Sequence, residues 1–479
     1  MSKPADMTRS IATLLTGSVG AMAVAYLAQP ILVRLYTPDA FGVLDLFLSA
    51  LSILIPVASL RYEDAIMLPA DDRDARPVVG LSVLLMLITA SLCAVAVHLG
   101  GAQLVGEALW PSAVWLAPAL ILIRLGKISE LWLTRQKRYG TLSRGQMANA
   151  LAMTAGRLAG GFRGMGVAGL IGGYLVGNLI SAGLWIGASM ASLRAPAERL
   201  FDRRAMAQAA HRYRRFPTFS MPSTLLNALV TRLPFVLLAV YFDAAVVGYF
   251  GRAFALLAVP LSLIGGAVSQ VFFVEGAEAT RRGTLPALTD VVHRRLVGIG
   301  LFPALALVLA GPQLVGFVFG APWIPAGEYL RILAPWLFLA SVASPLTRVF
   351  DITERQRLDL ASSVAMFTVQ TLALLVAGQT RDLELTLWAV GLAGAASRWA
   401  HAALIVRTAG VSWRAFVGAY FFWGLRSLPF LAVVALTRNL EPAWAPFLGA
   451  SLAGAGYLAV LYLVERSGQR MERNVGGRP

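Results

Sequence analysis

Fourteen apolar runs, each about as long as a bilayer is thick, follow one another along this chain with only short charged or Pro/Gly-containing breaks between them. A helix needs about 20 mainly apolar residues to cross the hydrocarbon core. The runs lie at about 10–36, 41–66, 77–100, 112–133, 145–162, 166–193, 217–242, 248–275, 294–319, 327–352, 359–378, 384–407, 416–437 and 444–464. The expected fold class is therefore all-α, a polytopic transmembrane protein of about 14 helices. Composition agrees: 57% of residues are hydrophobic and 14% charged, where a soluble protein carries about 25% charged. Fourteen spans use about 280 positions. The short loops that remain leave no room for a soluble catalytic domain.

The basic residues orient the spans. Of 41, only Lys3, Lys127 and Lys137 are lysine. With the N-terminus inside, the inner segments and the span ends beside them hold 27, the outer loops hold three (Arg163, Arg381 and Arg438), and eleven lie within spans. That asymmetry predicts cytoplasmic N- and C-termini. It also accounts for the formal charge of +16 without a nucleic-acid partner. The first run, preceded by Lys3 and Arg9, is too long for a signal-peptide core and reads as a retained helix.

The two halves echo each other. Tyr36 stands six residues before Gly42, as Phe242 does before Gly248, and a mid-span proline follows each pair, Pro56 and Pro260. Arg135-Gln136-Lys137-Arg138 is echoed by Arg355-Gln356-Arg357. The echoes predict two six-helix lobes related by a parallel internal repeat, an arrangement that places a substrate path between lobes in many transporters. The expected organisation is an N-terminal lobe at 1–193, a basic linker at 194–216, a C-terminal lobe at 217–407, and two extra helices with a tail at 408–479. The linker reads as an amphipathic helix from Pro196 to about Tyr213. Gly156, Gly160 and Gly164, and Gly169, Gly173 and Gly177, recur every four residues, which predicts close helix packing.

Several chemistries are missing from the sequence. There is no Gly-x-x-x-x-Gly-Lys-Ser/Thr motif. Cys93 is alone, and the four histidines have no metal-ligand spacing. Asp71-Asp72-Arg73-Asp74 reads as a solvated turn. No cofactor and no metal are expected, and the short outer loops argue against an enzyme.

The eleven cations within spans carry the most information: Arg34, Arg61, Arg124, Lys127, Arg157, Arg232, Arg252, Arg331, Arg348, Arg398 and Arg426. Each costs about 2.5–3.5 kcal/mol at a helix centre, so eleven facing lipid would cost roughly 30 kcal/mol. Most must snorkel, pair or line water. Lys127 with Glu130, Glu328 with Arg331, and Arg348 with Asp351 are spaced to pair on one helix face. Arg124, Arg232, Arg252, Arg398 and Arg426 lack such a partner. Ser220, Thr224, Asn227 and Thr231 form a polar stripe on the seventh span with Arg232 at its flank, which favours an aqueous cavity. Arginines lining a cavity imply an anionic substrate, because guanidinium matches phosphate oxygens. The intramembrane acids Asp45, Glu63, Asp64 and Glu130 can be salt-bridge partners or proton or sodium sites, and both readings stay open. As coupling candidates the order is Glu63, Asp64, Asp45, with Glu130 tied to Lys127.

Leu35-Tyr36-Thr37-Pro38 followed by Phe41-Gly42, Arg61-Tyr62-Glu63, and Phe216-Pro217 followed by Ser220, Pro222, Ser223 and Asn227 resemble motifs of the oligosaccharide flippases. These are the Wzx-type polysaccharide biosynthesis members of the multidrug/oligosaccharidyl-lipid/polysaccharide (MOP) exporter superfamily. The resemblance covers about residues 1–410. It implies two lobes rocking around a cationic cavity in the bacterial inner membrane. The implied substrate is an undecaprenyl-diphosphate-linked oligosaccharide, carried from the cytoplasmic to the periplasmic leaflet for lipopolysaccharide or other surface polysaccharide biosynthesis. Membrane lipids and the polysaccharide polymerase machinery are the further candidate partners. By this resemblance Arg232 and Arg252 face the cavity, with Arg34, Arg61, Arg124, Arg398, Asn227 and Thr231 as further candidates. The competing readings are a drug/cation antiporter of the MATE kind, which would prefer a carboxylate-rich cavity, and a membrane glycan polymerase or ligase.

Overall fold

The structure, a computed structural model, describes residues 20–193 and 200–476, and no strand occurs among them. Among the described residues fourteen helices follow the apolar runs in number and order. In the first half they are α1 (Gly20–Leu35), α2 (Pro38–Ala58), α3 (Asp72–Val105), α4 (Leu116–Arg135), α5 (Tyr139–Phe162), α6 (Gly166–Leu193) and α7 (Met221–Tyr241). In the second half they are α8 (Ala244–Arg281), α9 (Leu285–Phe319), α10 (Ile324–Leu346), α11 (Gln356–Gln379), α12 (Leu383–Thr408), α13 (Trp413–Thr437) and α14 (Ala445–Gly476). Among the described residues ten helices are long and apolar enough to cross a membrane, and α1 and the first part of α8 are shorter apolar helices. The chain is a multi-pass membrane protein. α4 and α5 fall outside those ten; they carry Arg124, Lys127 and Glu130, and Arg144 and Arg157.

The chain divides into two compact units, residues 1–248 and 249–479. In the first unit, Thr37 stops one helix and starts the next. Its Oγ1 accepts the Ala40 amide at 3.3 Å, and Pro38 fills the first turn of α2, where no amide hydrogen is needed. Tyr36, just before the cap, is buried and donates its hydroxyl to the Arg157 carbonyl of α5. Room for that ring comes from glycine. The two glycine series expected as packing faces meet each other: a Cβ on Gly156 would sit 2.9 Å from Gly173 Cα, and one on Gly160 2.6 Å from Gly169 Cα. Backbones this close gain dispersion contacts that lipid cannot match.

The second apolar run, expected to stay helical to residue 66, breaks earlier. The α-helix ends at Ala58. Leu60 and Arg61 take left-handed backbone, with φ of 50° and 64°, at a cost of about 1–2 kcal/mol each. Tyr62–Met67 continues as a 3-10 helix.

The basic linker was expected as a helix starting at Pro196; residues 194–199 lie outside the described residues. Within them a linker helix spans Arg203–Arg212, capped by Asp202, whose carboxylate accepts the Arg204 amide at 2.9 Å. Its apolar face rests on the protein: Met206 and Ala209 are buried, and Tyr62 donates to the Ala210 carbonyl at 3.0 Å. Arg203, Arg204 and Arg212 point away, exposed.

The second unit is built on an aromatic core. Tyr457 of α14 donates to the Gly298 carbonyl of α9 at 2.6 Å. A Cβ on Gly298 would meet the Trp423 ring of α13 at 2.6 Å. The last two helices are thus seated against α9.

Turns in the two units repeat. Lys137, after α4, and Glu354, before α11, are both left-handed, with φ of 57° and 56°, and the next residue of each donates its amide five residues back, Arg138 to Leu133 and Arg355 to Phe350. Gly164 after α5 and Arg381 after α11 are likewise left-handed, with φ of 67° and 55°. The two pairs are separated by the same number of residues. Structurally, Arg138 matches Arg355, a register shifted by three from the Arg-Gln echo in the sequence.

Candidate substrate-binding site

α7 is the least enclosed of the first unit's spans. Only Phe235 and Leu238 are buried on it. Ser223, Asn227 and Thr231 are exposed, and Ser220, Thr224 and Arg232 are half-buried. Thr224 and Thr231 donate their hydroxyls to the carbonyls of Ser220 and Asn227 one turn below. Their donors are therefore satisfied within the helix, and their oxygens remain able to accept. Asn227 presents both a donor and an acceptor. Ser223, Asn227 and Thr231 thus put polar groups on an exposed face of an otherwise apolar helix, where such groups are costly against lipid.

Arg232 ends the stripe. Its guanidinium lies 5.8 Å from the centroid of the Phe235 ring, one turn along the same helix. It makes no ion pair among the described residues. The ring holds the cation by its quadrupole and still leaves the guanidinium edge, with its donors, free for an anion.

The other cations differ in environment. Arg124 is 2% exposed and Glu63 0%. The two are ion-paired, and Arg124 also donates to Ser59 Oγ at 2.8 Å, while Ser59 donates to Glu63. This closed triad joins α4 to the left-handed break after α2. It spans the turn that contains the left-handed Leu60 and Arg61. Arg61 and Asp64 pair at 2.7 Å on the outside of the same turn. Arg34 is exposed in the last turn of α1, and Asp45 is buried on α2. In the second unit Arg252 is half-buried on α8, and Arg398 is half-buried on α12 with no acceptor for its buried Nε.

The three pairs expected from spacing all form: Lys127 to Glu130 at 3.2 Å, Arg331 to Glu328 at 3.4 Å, and Arg348 to Asp351 at 3.0 Å. Arg426 finds a partner the spacing also offered. It lies 3.5 Å from the centroid of the Phe422 ring and donates to the Phe422 carbonyl at 3.2 Å. Arg135, which the sequence marks only by its place in the Arg-Gln echo, ties down the 66–72 turn by bonding Asp72 and the carbonyls of Ile66, Pro69 and Ala70. Among the described residues no three His, Cys, Asp or Glu side chains converge as a metal site would require.

The profile of the polysaccharide biosynthesis protein family matches residues 31–328, more than half of the chain. The chain belongs to the polysaccharide biosynthesis protein family. Its fold is that of the MOP exporters. A structure described as lipid II flippase MurJ in an inward closed conformation is similar over 94% of this chain and 99% of its own, with a TM-score of 0.70 at 14% identity. An inward-facing multidrug resistance MATE family transporter of the MOP superfamily is similar over 84% of this chain and 94% of its own, with a TM-score of 0.57 at 17% identity. No curated protein matches the chain in sequence. The family expected from the Leu35–Pro38, Arg61–Glu63 and Phe216–Asn227 motifs is the family found, and this member shares its helical architecture with transporters and flippases.

Proposed function

We propose that this family member is a flippase for an undecaprenyl-diphosphate-linked oligosaccharide. It works in the bacterial inner membrane with both termini in the cytoplasm, and moves its substrate from the cytoplasmic to the periplasmic leaflet by alternating access. The observation that carries this reading is the exposed stripe Ser223-Asn227-Thr231 leading to Arg232, a cation without a carboxylate partner among the described residues. Hydroxyls and an amide suit sugar hydroxyls, and a guanidinium suits phosphate oxygens. A cationic drug would be repelled by the same stripe. Arg252 and Arg398 are further proposed phosphate contacts, and Arg34 and Arg61 flank the path. Arg124 is held by Glu63, so its role in this account is to shape the break after α2. Glu63, ahead of Asp64 and Asp45, is the proposed coupling carboxylate, because it is buried against Arg124 at the break after α2. The similarity to lipid II flippase MurJ supports the fold required and the class of cargo.

The test is made in a strain lacking this protein. Lipid-linked glycan is expected to accumulate facing the cytoplasm, to be cleared by the wild-type chain, and to remain with Arg232→Ala at equal membrane abundance. Clearance by Arg232→Ala would remove the stripe from the substrate path.

A further inference from the structure

The start of the seventh span is irregular. Phe216–Ser220 forms a single π-type turn containing Pro217, directly before α7. Such turns widen the backbone and recur at functional sites. Beside it lies an open groove of about 400 Å³ lined by Arg215, Phe216, Phe219, Ser220 and Ser223. Arg215 is exposed and has no ion-pair partner among the described residues. Phe219 is 72% exposed.

The chemistry of the groove has two halves. One guanidinium and two hydroxyls are donors for phosphate oxygens. Two phenyl rings are a surface for a hydrocarbon chain. They meet where a basic linker joins an apolar span, which is where a lipid's polar head and its first chain carbons lie. A soluble anion would have no use for the rings, and a bare acyl chain none for the arginine.

The groove is also continuous with the stripe. Ser220 and Ser223 line it and begin the row that passes through Asn227 and Thr231 to Arg232. From Ser220 to Arg232 the helix rises about 18 Å at 1.5 Å per residue, about three-fifths of the hydrocarbon thickness.

We propose that this groove is the loading site for the diphosphate of a polyprenyl-linked substrate, with Arg215, Ser220 and Ser223 on the phosphates and Phe216 and Phe219 against the first prenyl units. The headgroup then passes along the stripe to Arg232. The inference rests on the flippase reading and its orientation, which place the groove at the inner leaflet.

The test uses the full-length protein in nanodiscs of zwitterionic lipid with a photoactivatable undecaprenyl diphosphate. Label is expected on residues 214–224 of the wild-type protein and should fall about tenfold in Arg215→Gln, the range of a lost charge-assisted contact. Ser220→Ala/Ser223→Ala should lower it severalfold, and Arg215→Lys should restore part. A tenfold excess of phosphatidylglycerol should leave the label in place, and inorganic pyrophosphate should compete only at far higher concentration than unlabelled probe. Displacement by phosphatidylglycerol would make the groove a general anionic-lipid site. Equal competition by pyrophosphate would remove the prenyl contact. Either result overturns the proposal, as does wild-type protein that translocates glycan yet shows no label in 214–224. Translocation is scored separately in the same preparation, so label without translocation would contradict the flippase reading and leave the groove standing.

Discussion

Gly42 and Gly248, each six residues after an aromatic residue in its own half of the sequence, cross backbone to backbone: a Cβ on either would fall within contact distance of the other's amide nitrogen. The Gly42 position also faces the Ala244 carbonyl oxygen and the Gly248 position that of Pro38. These are fixed backbone atoms that cannot swing aside. The repeat read from the sequence thus brings its two matching glycines into one close crossing, where α2 meets the start of α8.

Gly42→Ala and Gly248→Ala should each destabilise the protein by about 1–3 kcal/mol or force the crossing apart. Thermal unfolding in detergent would show this as a lowered midpoint. Gly172→Ala, at a helical glycine with open space around it, should leave the midpoint unchanged and serves as the control.

The Arg124–Glu63–Ser59 triad makes a prediction with a sign. Glu63→Gln leaves a buried guanidinium without its counter-charge, which costs about 3–5 kcal/mol. Replacing both partners, Glu63→Gln with Arg124→Gln, should recover much of that loss. A double-mutant cycle on thermal unfolding measures it, and additive losses would mean that the pair contributes nothing. In vesicles, Glu63→Gln should also flatten the response of transport to an imposed proton or sodium gradient; an unchanged response would move coupling to Asp64 or Asp45, or remove it.

What the sequence made legible follows from range. Hydropathy is summed over whole spans, so fourteen helices could be counted from it. Glycines at every fourth position declare a face, and α5 and α6 meet on it. Pairs three residues apart, such as Lys127 with Glu130, are dictated by the helix itself. Phe422, four residues before Arg426, is equally local, but an aromatic ring is a less specific partner signal than a carboxylate at the same spacing. The Arg124–Glu63 pair was not legible, since it joins residues 61 positions apart and no local rule links them. Nor was the break at Leu60–Arg61, because neither residue type favours left-handed backbone. The groove at Arg215 was hidden for another reason: seven arginines in one linker look alike until the fold seats Met206 and Ala209 against α3 and leaves Arg215 beside Phe219.

Orientation is checked with reporter fusions. Fusions after residues 205 and 285 should report the cytoplasm, and one at 244 the opposite side. A cytoplasmic signal at 244 would contradict the proposed direction of the stripe on α7.

The Tyr36 contact offers a quieter test. Tyr36→Phe removes the hydroxyl that reaches the Arg157 carbonyl while keeping the ring between the glycines of α5 and α6. A loss of about 1 kcal/mol is expected, read as a small fall in unfolding midpoint. No change would mean that the ring alone holds α1 in place.

On the flippase reading, Arg232 carries the diphosphate of a lipid-linked glycan across the membrane. Purified protein in sealed vesicles, loaded on one leaflet with an undecaprenyl-diphosphate-linked oligosaccharide, measures this directly through the appearance of glycan on the other leaflet. Translocation by the wild-type protein is expected, with at least a tenfold loss in Arg232→Ala and clear impairment in Arg232→Lys, whose ammonium cannot reproduce the planar fork. Wild-type rates in a folded Arg232→Ala protein would contradict it.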